Sequence, residues 1–159
     1  MRAINAKDLI RVYKLEKHPE GGYFRESYRA AGKIAGTGRN FSTAIYFLLP
    51  AGEKSWLHRL KSDEVWHFYL GGALELAQIF PDGRAGQVVL GRDALAGQKL
   101  QHAVPAGCWF GACPDRGAKF SFVGCTVAPG FEFPDFELGD RAALLKRFPR
   151  AGALIKKLT

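Results

Sequence analysis

Residues 52–71, GEKSWLHRLKSDEVWHFYLG, carry the spacing on which the fold assignment turns. The stretch reads as a strand, a tight turn at Lys61-Ser62-Asp63 and a second strand, and alternation along each half puts every second side chain on one face. With His58 turned inward, Leu60, Glu64, Trp66 and Phe68 are inward too, and His67 points the other way. One imidazole and one carboxylate thus meet on a common face. Such a pair is suited to holding a metal, moving a proton or clamping a ligand.

On both sides of this stretch the chain consists of short apolar runs separated by turn residues. Strands are expected at 23–29, 42–49, 73–80, 87–90, 99–104, 109–112 and 120–127, with nineteen glycines and eight prolines as punctuation. Asn5 is the expected N-cap of an amphipathic helix over 6–15, and a second short helix is expected over 141–148. Phe131, Phe133 and Phe136 are placed across an outer face, His18 in a loop before Pro19, and 31–40 in a mobile connection at a barrel mouth. A chain of 159 residues that is 47% apolar forms one domain with a sizeable core. The fold class is all-β, a sandwich or barrel with short flanking helices at the N- and C-terminal ends.

The spacing Gly52-x5-His58-x-Leu60-x3-Glu64-x6-Gly71 resembles the first signature of the cupin superfamily, Gly-x5-His-x-His-x3-4-Glu-x6-Gly, with Leu60 at the second histidine. The second signature, Pro-x-Gly-x2-His, is similar to Pro105-Ala106-Gly107-Cys108-Trp109-Phe110, with Phe110 at the histidine. The segments His18–Glu26, Ser42–Leu49, Ser62–Phe68 and Gly124–Phe131 narrow the resemblance to a small family of single-domain cupins described as cupin-like or as predicted sugar epimerases. The likeness covers about 15–138 within a single domain spanning 1–159 and implies a jelly-roll barrel. Cupins commonly dimerise through their sheets, so a homodimer is expected. Two of the four usual metal ligands are replaced by apolar side chains, so the resemblance implies no metal and no other cofactor.

In the related dTDP-ketosugar epimerases a segment Asp-x-Arg-Gly-x-Phe-x-Glu binds substrate. This chain is similar at Gly22, Phe24 and Glu26 and has Gly21 in place of the arginine. The same resemblance gives Tyr46 the part of an acid opposite the histidine base. The enzymatic reading is therefore a metal-independent sugar epimerase or isomerase in which His58 is the base, Glu64 orients it and Tyr46 returns the proton. Glu26, Arg25, Trp66, Trp109 and Phe110 are the candidate ligand-binding residues. Three other readings use the same stretch: a non-catalytic pocket walled by aromatics, a divalent-metal site completed by His67, Glu26 or water, and a buried pair with a purely structural role.

The formal charge of +8 is spread over both chain ends and forms no nucleic-acid motif. Its field draws a sugar-like or anionic ligand, and neither nucleic acid nor membrane is expected as a partner. Cys108, Cys113 and Cys125 make no CxxC pair and are expected as reduced thiols, with Cys125 in the core. His102 is placed on a strand surface or a subunit contact. No run reaches the length of a bilayer span and the first residues lack a signal-peptide core, which fits a cytoplasmic protein.

Overall fold

The computed structural model describes residues 3–159. Helix α1 (Ala6–Tyr13) is capped by Asn5, whose side chain accepts from the Asp8 amide at 3.1 Å while the Asp8 carboxylate accepts from the Asn5 amide at 3.3 Å. This reciprocal pair satisfies amides that a helix start leaves unbonded. Wholly buried Leu9 fixes α1 on the outer face of a sheet, against Leu48 and Phe122.

Eleven strands follow among the described residues: β1 (Glu16–Lys17), β2 (Tyr23–Arg29), β3 (Thr43–Pro50), β4 (Ser55–Arg59), β5 (Asp63–Gly71), β6 (Leu74–Ile79), β7 (Ala85–Leu90), β8 (Gln101–Val104), β9 (Trp109–Pro114), β10 (Phe120–Ala128) and β11 (Glu137–Leu138). Helices α2 (Arg141–Arg147) and α3 (Gly152–Leu158) close the chain. The strands pair antiparallel in two sheets that face each other, ordered β1-β2-β3-β10-β5-β8 and β11-β4-β9-β6-β7. This is an all-β jelly roll with short helices at both ends. No helix among the described residues is long and apolar enough to cross a membrane.

The sheet order corrects the reading of the central stretch. β4 and β5 do not pair as a hairpin: β4 lies between β9 and β11, and β5 between β10 and β8. Residues 60–62 are a corner that carries the chain from one sheet to the other, and the Leu60 carbonyl accepts from the Gly107 amide at 2.8 Å to hold it. His58 and Glu64 therefore belong to facing sheets.

Between the sheets lies a core that includes Phe47, Trp66, Leu76, Phe110 and Val123. The outer face of the smaller sheet is covered by α2 and α3, whose Leu144, Phe148, Ile155 and Leu158 pack on Leu57, Ile79 and Trp109. The expected terminal helix is thus half of a pair. Its partner follows a single 3-10 turn at Pro149–Ala151 and begins at Gly152, where the Pro and Gly read as a stop. Ile155 is fully buried at this junction. Ile155→Ala is expected to lower the unfolding free energy by about 2–5 kcal/mol, read as a fall in the urea midpoint at unchanged m value.

Candidate functional site

The site starts from the turn His18-Pro19-Glu20-Gly21-Gly22. Gly21 and Gly22 have φ of 97° and 72°, in the region that glycine alone enters freely. The Gly21 amide donates to the His18 carbonyl at 3.0 Å, and the Glu20 carbonyl accepts from the Trp56 amide at 2.7 Å. A Cβ on Gly21 would lie 2.1 Å from the Lys54 carbonyl oxygen. The turn is pressed onto the start of β4, and this brings the Glu20 side chain beside His58. Gly21 is also the position at which the ketosugar epimerases carry arginine, and the packing here leaves no room for any side chain.

The Glu20 carboxyl is buried and touches three side chains. Its Oε1 accepts from the Ser55 hydroxyl at 2.8 Å, and its Oε2 lies 3.2 Å from His58 Nε2 and 3.4 Å from His18 Nδ1. His58 Nδ1 is 2.7 Å from the Trp56 carbonyl oxygen. A carbonyl only accepts, so Nδ1 carries a proton and Nε2 is the nitrogen that faces Glu20. His18 Nδ1 accepts from the Glu20 amide at 3.2 Å, which leaves the proton of the neutral ring on Nε2. From the facing sheet, Glu64 accepts from the Trp66 indole N–H at 3.0 Å.

Burial sets the charge states. It pushes the Glu20 carboxyl up, against the pull of His18 and the Ser55 hydroxyl, and lowers both His58 and His18, against the nearby carboxylates Glu64 and Glu20 respectively. Glu64 is raised to about 7 by burial and by the neighbouring Glu20, more than His58, Trp66 and Cys125 pull it down. Cys125, fully buried beside the same carboxyls, is held well above the usual thiol range and is inert as a nucleophile.

These groups open on a cavity of about 100 Å³ between the sheets, also lined by Phe24, Glu26, Ile45 and Leu60. A water needs roughly 10–15 Å³ of such space, so the cavity holds several waters or one small molecule. Its mouth is framed by Arg29, which donates to Glu26 at 2.8 and 3.0 Å, to Glu132 at 3.2 Å, to Asn40 at 3.1 Å and to the Phe131 carbonyl at 3.1 Å. Phe131 and Phe133 line the cavity and Phe136 stacks on His58 with centroids 5.3 Å apart, so this aromatic run packs inward and not across an outer face. Asp135 anchors the run through ion pairs with Arg39 at 2.5 Å and Lys61 at 3.6 Å.

A family model described as Cupin superfamily (DUF985) matches residues 7–139. The chain belongs to the cupin superfamily. Among proteins known from sequence, it is similar to the uncharacterized protein YML079W of Saccharomyces cerevisiae, 28% identical over 145 residues that cover 81% of this chain and 72% of the yeast protein. Among solved structures it is similar to protein SO0799 of Shewanella oneidensis, with a TM-score of 0.93, 43% identity and coverage of 99% of this chain and 98% of that one. A hypothetical protein from Leishmania major gives a TM-score of 0.90 and 37% identity, covering 98% and 99% of the two chains. Oxalate decarboxylase from Bacillus subtilis, at 14% identity and a TM-score of 0.58 over 90% of this chain and 36% of that one, shares the fold.

In this cupin the structure brings His58, Glu64 and Glu26 to the cavity, with Trp66 holding Glu64 and Phe110 against the His58 ring at 4.2 Å between centroids. It does not bring Tyr46, Arg25 or Trp109 there. Ile45 and Phe47 of β3 point inward, so Tyr46 points outward, where it meets Tyr13 at 4.7 Å and Phe122 at 5.7 Å. Arg25 pairs with Glu16 at 3.2 Å on the exposed side of β2, and Trp109 lies beneath the C-terminal helices while its neighbour Phe110 faces in. His18, expected in an open loop, is a buried wall of the cavity. Glu20, Ser55 and Cys125 also belong to the site without having been singled out as site residues. A signal for the first lay in His-Pro-Glu-Gly-Gly, where paired glycines mark a turn tight enough to fix the side chains it carries.

The usual cupin metal set does not fit this cavity. Leu60 and Phe110 present carbon where two of the four ligands would stand, and Glu20 bridges the two imidazoles that remain. His67 faces the outer side of β5 and meets the Thr126 hydroxyl at 3.0 Å, so it cannot complete a set with His58. His102 is partly buried and reaches Gln78 at 2.7 Å. Among the described residues no group of three or more His, Cys, Asp or Glu side chains is disposed to hold a metal ion.

Glu64 also links the site to stability. Its folded value near 7 lies above the ordinary carboxyl value of 4.5, so its contribution is fully present below pH 4.5 and is lost as the pH rises through 7. Glu64→Gln removes that loss. Urea titrations are expected to show the variant gaining stability relative to wild type between pH 5 and pH 8, at roughly the two ends of this window; a pH-independent difference would mean that Glu64 does not titrate there.

Proposed function

We propose that this cupin binds a small, uncharged, sugar-like molecule between its sheets and moves a proton on it without a metal, as an epimerase or isomerase does. The observation that carries this reading is the Glu20 carboxyl lying between His58 and His18 at 3.2 and 3.4 Å in a cavity that also holds Glu64. Proton abstraction next to a carbonyl needs a base and an acid matched near neutral pH and kept from water. The Glu20–His58 pair, 3.2 Å apart, supplies the base on one side of the cavity. Glu64, near 7, supplies the complementary group from the facing sheet. The role that the sequence resemblance gives to Tyr46 thus passes to Glu64. One group takes the proton from the carbon beside the carbonyl and the other returns a proton to the resulting enediolate.

The lining also speaks to the ligand's charge. Glu20, Glu26, Glu64 and Glu132 are carboxyls, and the one guanidinium, Arg29, is already held by two of them. No cation is left for a phosphate, so an unphosphorylated sugar fits better than an anionic one. Small unphosphorylated aldoses and ketoses, incubated with the protein in deuterated water, are expected to lose proton-NMR signal at the carbon beside the carbonyl. His58→Ala and Glu20→Gln are each expected to slow that exchange by about 10²-fold or more. Thermal stabilisation by such a sugar without any exchange would make the protein a non-catalytic binder. Neither stabilisation nor exchange would overturn the reading.

A further inference from the structure

Apart from Arg29, whose guanidinium is held by Glu26 and Glu132, the cavity lining carries no Lys or Arg among the described residues, whereas the C-terminal helices are strongly basic. Residues 141–159 contain Arg141, Lys146, Arg147, Arg150, Lys156 and Lys157 and no Asp or Glu. Because Leu144, Phe148, Ile155 and Leu158 are buried on the smaller sheet, the basic side chains all lie on the exposed side of the pair. Arg141 is tied to Thr159 and Lys157 to Glu75. Arg147 and Arg150 have no carboxylate partner among the described residues.

These two arginines border a cleft of about 750 Å³ between the β6–β7 turn and the α2–α3 junction, with Arg84 on its other side and Phe80 and Phe148 in its walls. The Arg84 guanidinium lies 5.1 Å from the Phe80 ring centroid and that of Arg147 lies 5.1 Å from Phe148. Stacking of this kind holds a guanidinium plane in place while its N–H edges remain available. The lone carboxylate in the lining, Asp82, accepts from Arg84 Nε at 2.7 Å and from the Arg84 amide at 3.0 Å. The cleft therefore presents three guanidiniums against one carboxylate that is already engaged.

We propose that this cleft is a second binding site, separate from the barrel cavity, and that it takes a compact, multiply charged phosphate chain. Planar guanidinium edges match phosphate oxygens, and several arginines around a concavity favour charge packed into a small volume. A cleft of this size is in the range of small-molecule sites, whereas a lipid surface needs a flat or convex face. The proposal stands on residues that the proton-transfer reading does not use.

The test is calorimetric binding of inorganic tripolyphosphate to the full chain at about 50 mM salt, where phosphate contacts are strongest. Wild type is expected to bind, more weakly as salt rises, and Arg147→Gln/Arg150→Gln to bind about tenfold or more weakly at unchanged Tm. Glu20→Gln, in the barrel, is expected to bind like wild type. ATP binding more tightly than tripolyphosphate, with the same loss in the double variant, would identify the phosphate chain as that of a nucleotide; equal binding would identify the free chain. The proposal is overturned if wild type does not bind tripolyphosphate, if the double variant binds it undiminished, or if a short single-stranded oligonucleotide binds more tightly than either compact anion.

Discussion

A carboxyl group inside a β-sandwich is costly unless its oxygens are engaged, and Glu20 has the Ser55 hydroxyl on Oε1 and His58 Nε2 3.2 Å from Oε2. The rest of the candidate site depends on this arrangement. Ser55 and His58 come from one strand, so β4 alone holds both sides of the carboxyl, and the Gly21-Gly22 turn delivers it with no freedom to withdraw. Burial raises Glu20, and its proximity in turn helps to raise Glu64 on the other sheet. Burial and this one side chain thus act together on Glu64. Each of the two imidazoles in this barrel has a nitrogen turned to the Glu20 carboxyl.

Much of this was legible from the amino-acid order. Alternation placed His58, Leu60, Glu64 and Trp66 on the interior and His67 outside, because period-two patterning survives whichever strands become neighbours. It could not say that β4 and β5 belong to different sheets, since a hairpin and a corner have the same local pattern and differ only in long-range pairing. Tyr46 and Trp109 were misplaced for a related reason. Both sheets are covered on their outer faces, by α1 and by the α2–α3 pair, so their strands carry large apolar side chains on both sides and alternation no longer distinguishes inside from outside. Glu20 was hidden by distance, since 37 residues separate it from His58, the histidine it meets. Only the glycine pair beside it hinted at a fixed position.

The charge of the molecule is segregated in a way that composition conceals. A basic chain has a cavity whose only guanidinium is bound by two glutamates, while Arg147 and Arg150, without carboxylate partners among the described residues, lie at the α2–α3 junction. Net charge suggested an attraction for anions, and the arginines bordering the cleft at the α2–α3 junction lie apart from the barrel cavity. The two sets of residues share a sheet, since β9 turns Phe110 toward His58 and Trp109 toward the helices.

Because His58 and Glu64 stand on facing sheets, the spacing of the strands that carry them is that of the sandwich itself. Facing sheets keep a separation of about 10 Å through the volume of the side chains packed between them. The distance across the cavity is thus not set by the corner at 60–62 alone. It works as a spacer gauge, set jointly by every residue in the core, and a methyl group gained or lost near Leu76 or Val123 would retune it from afar.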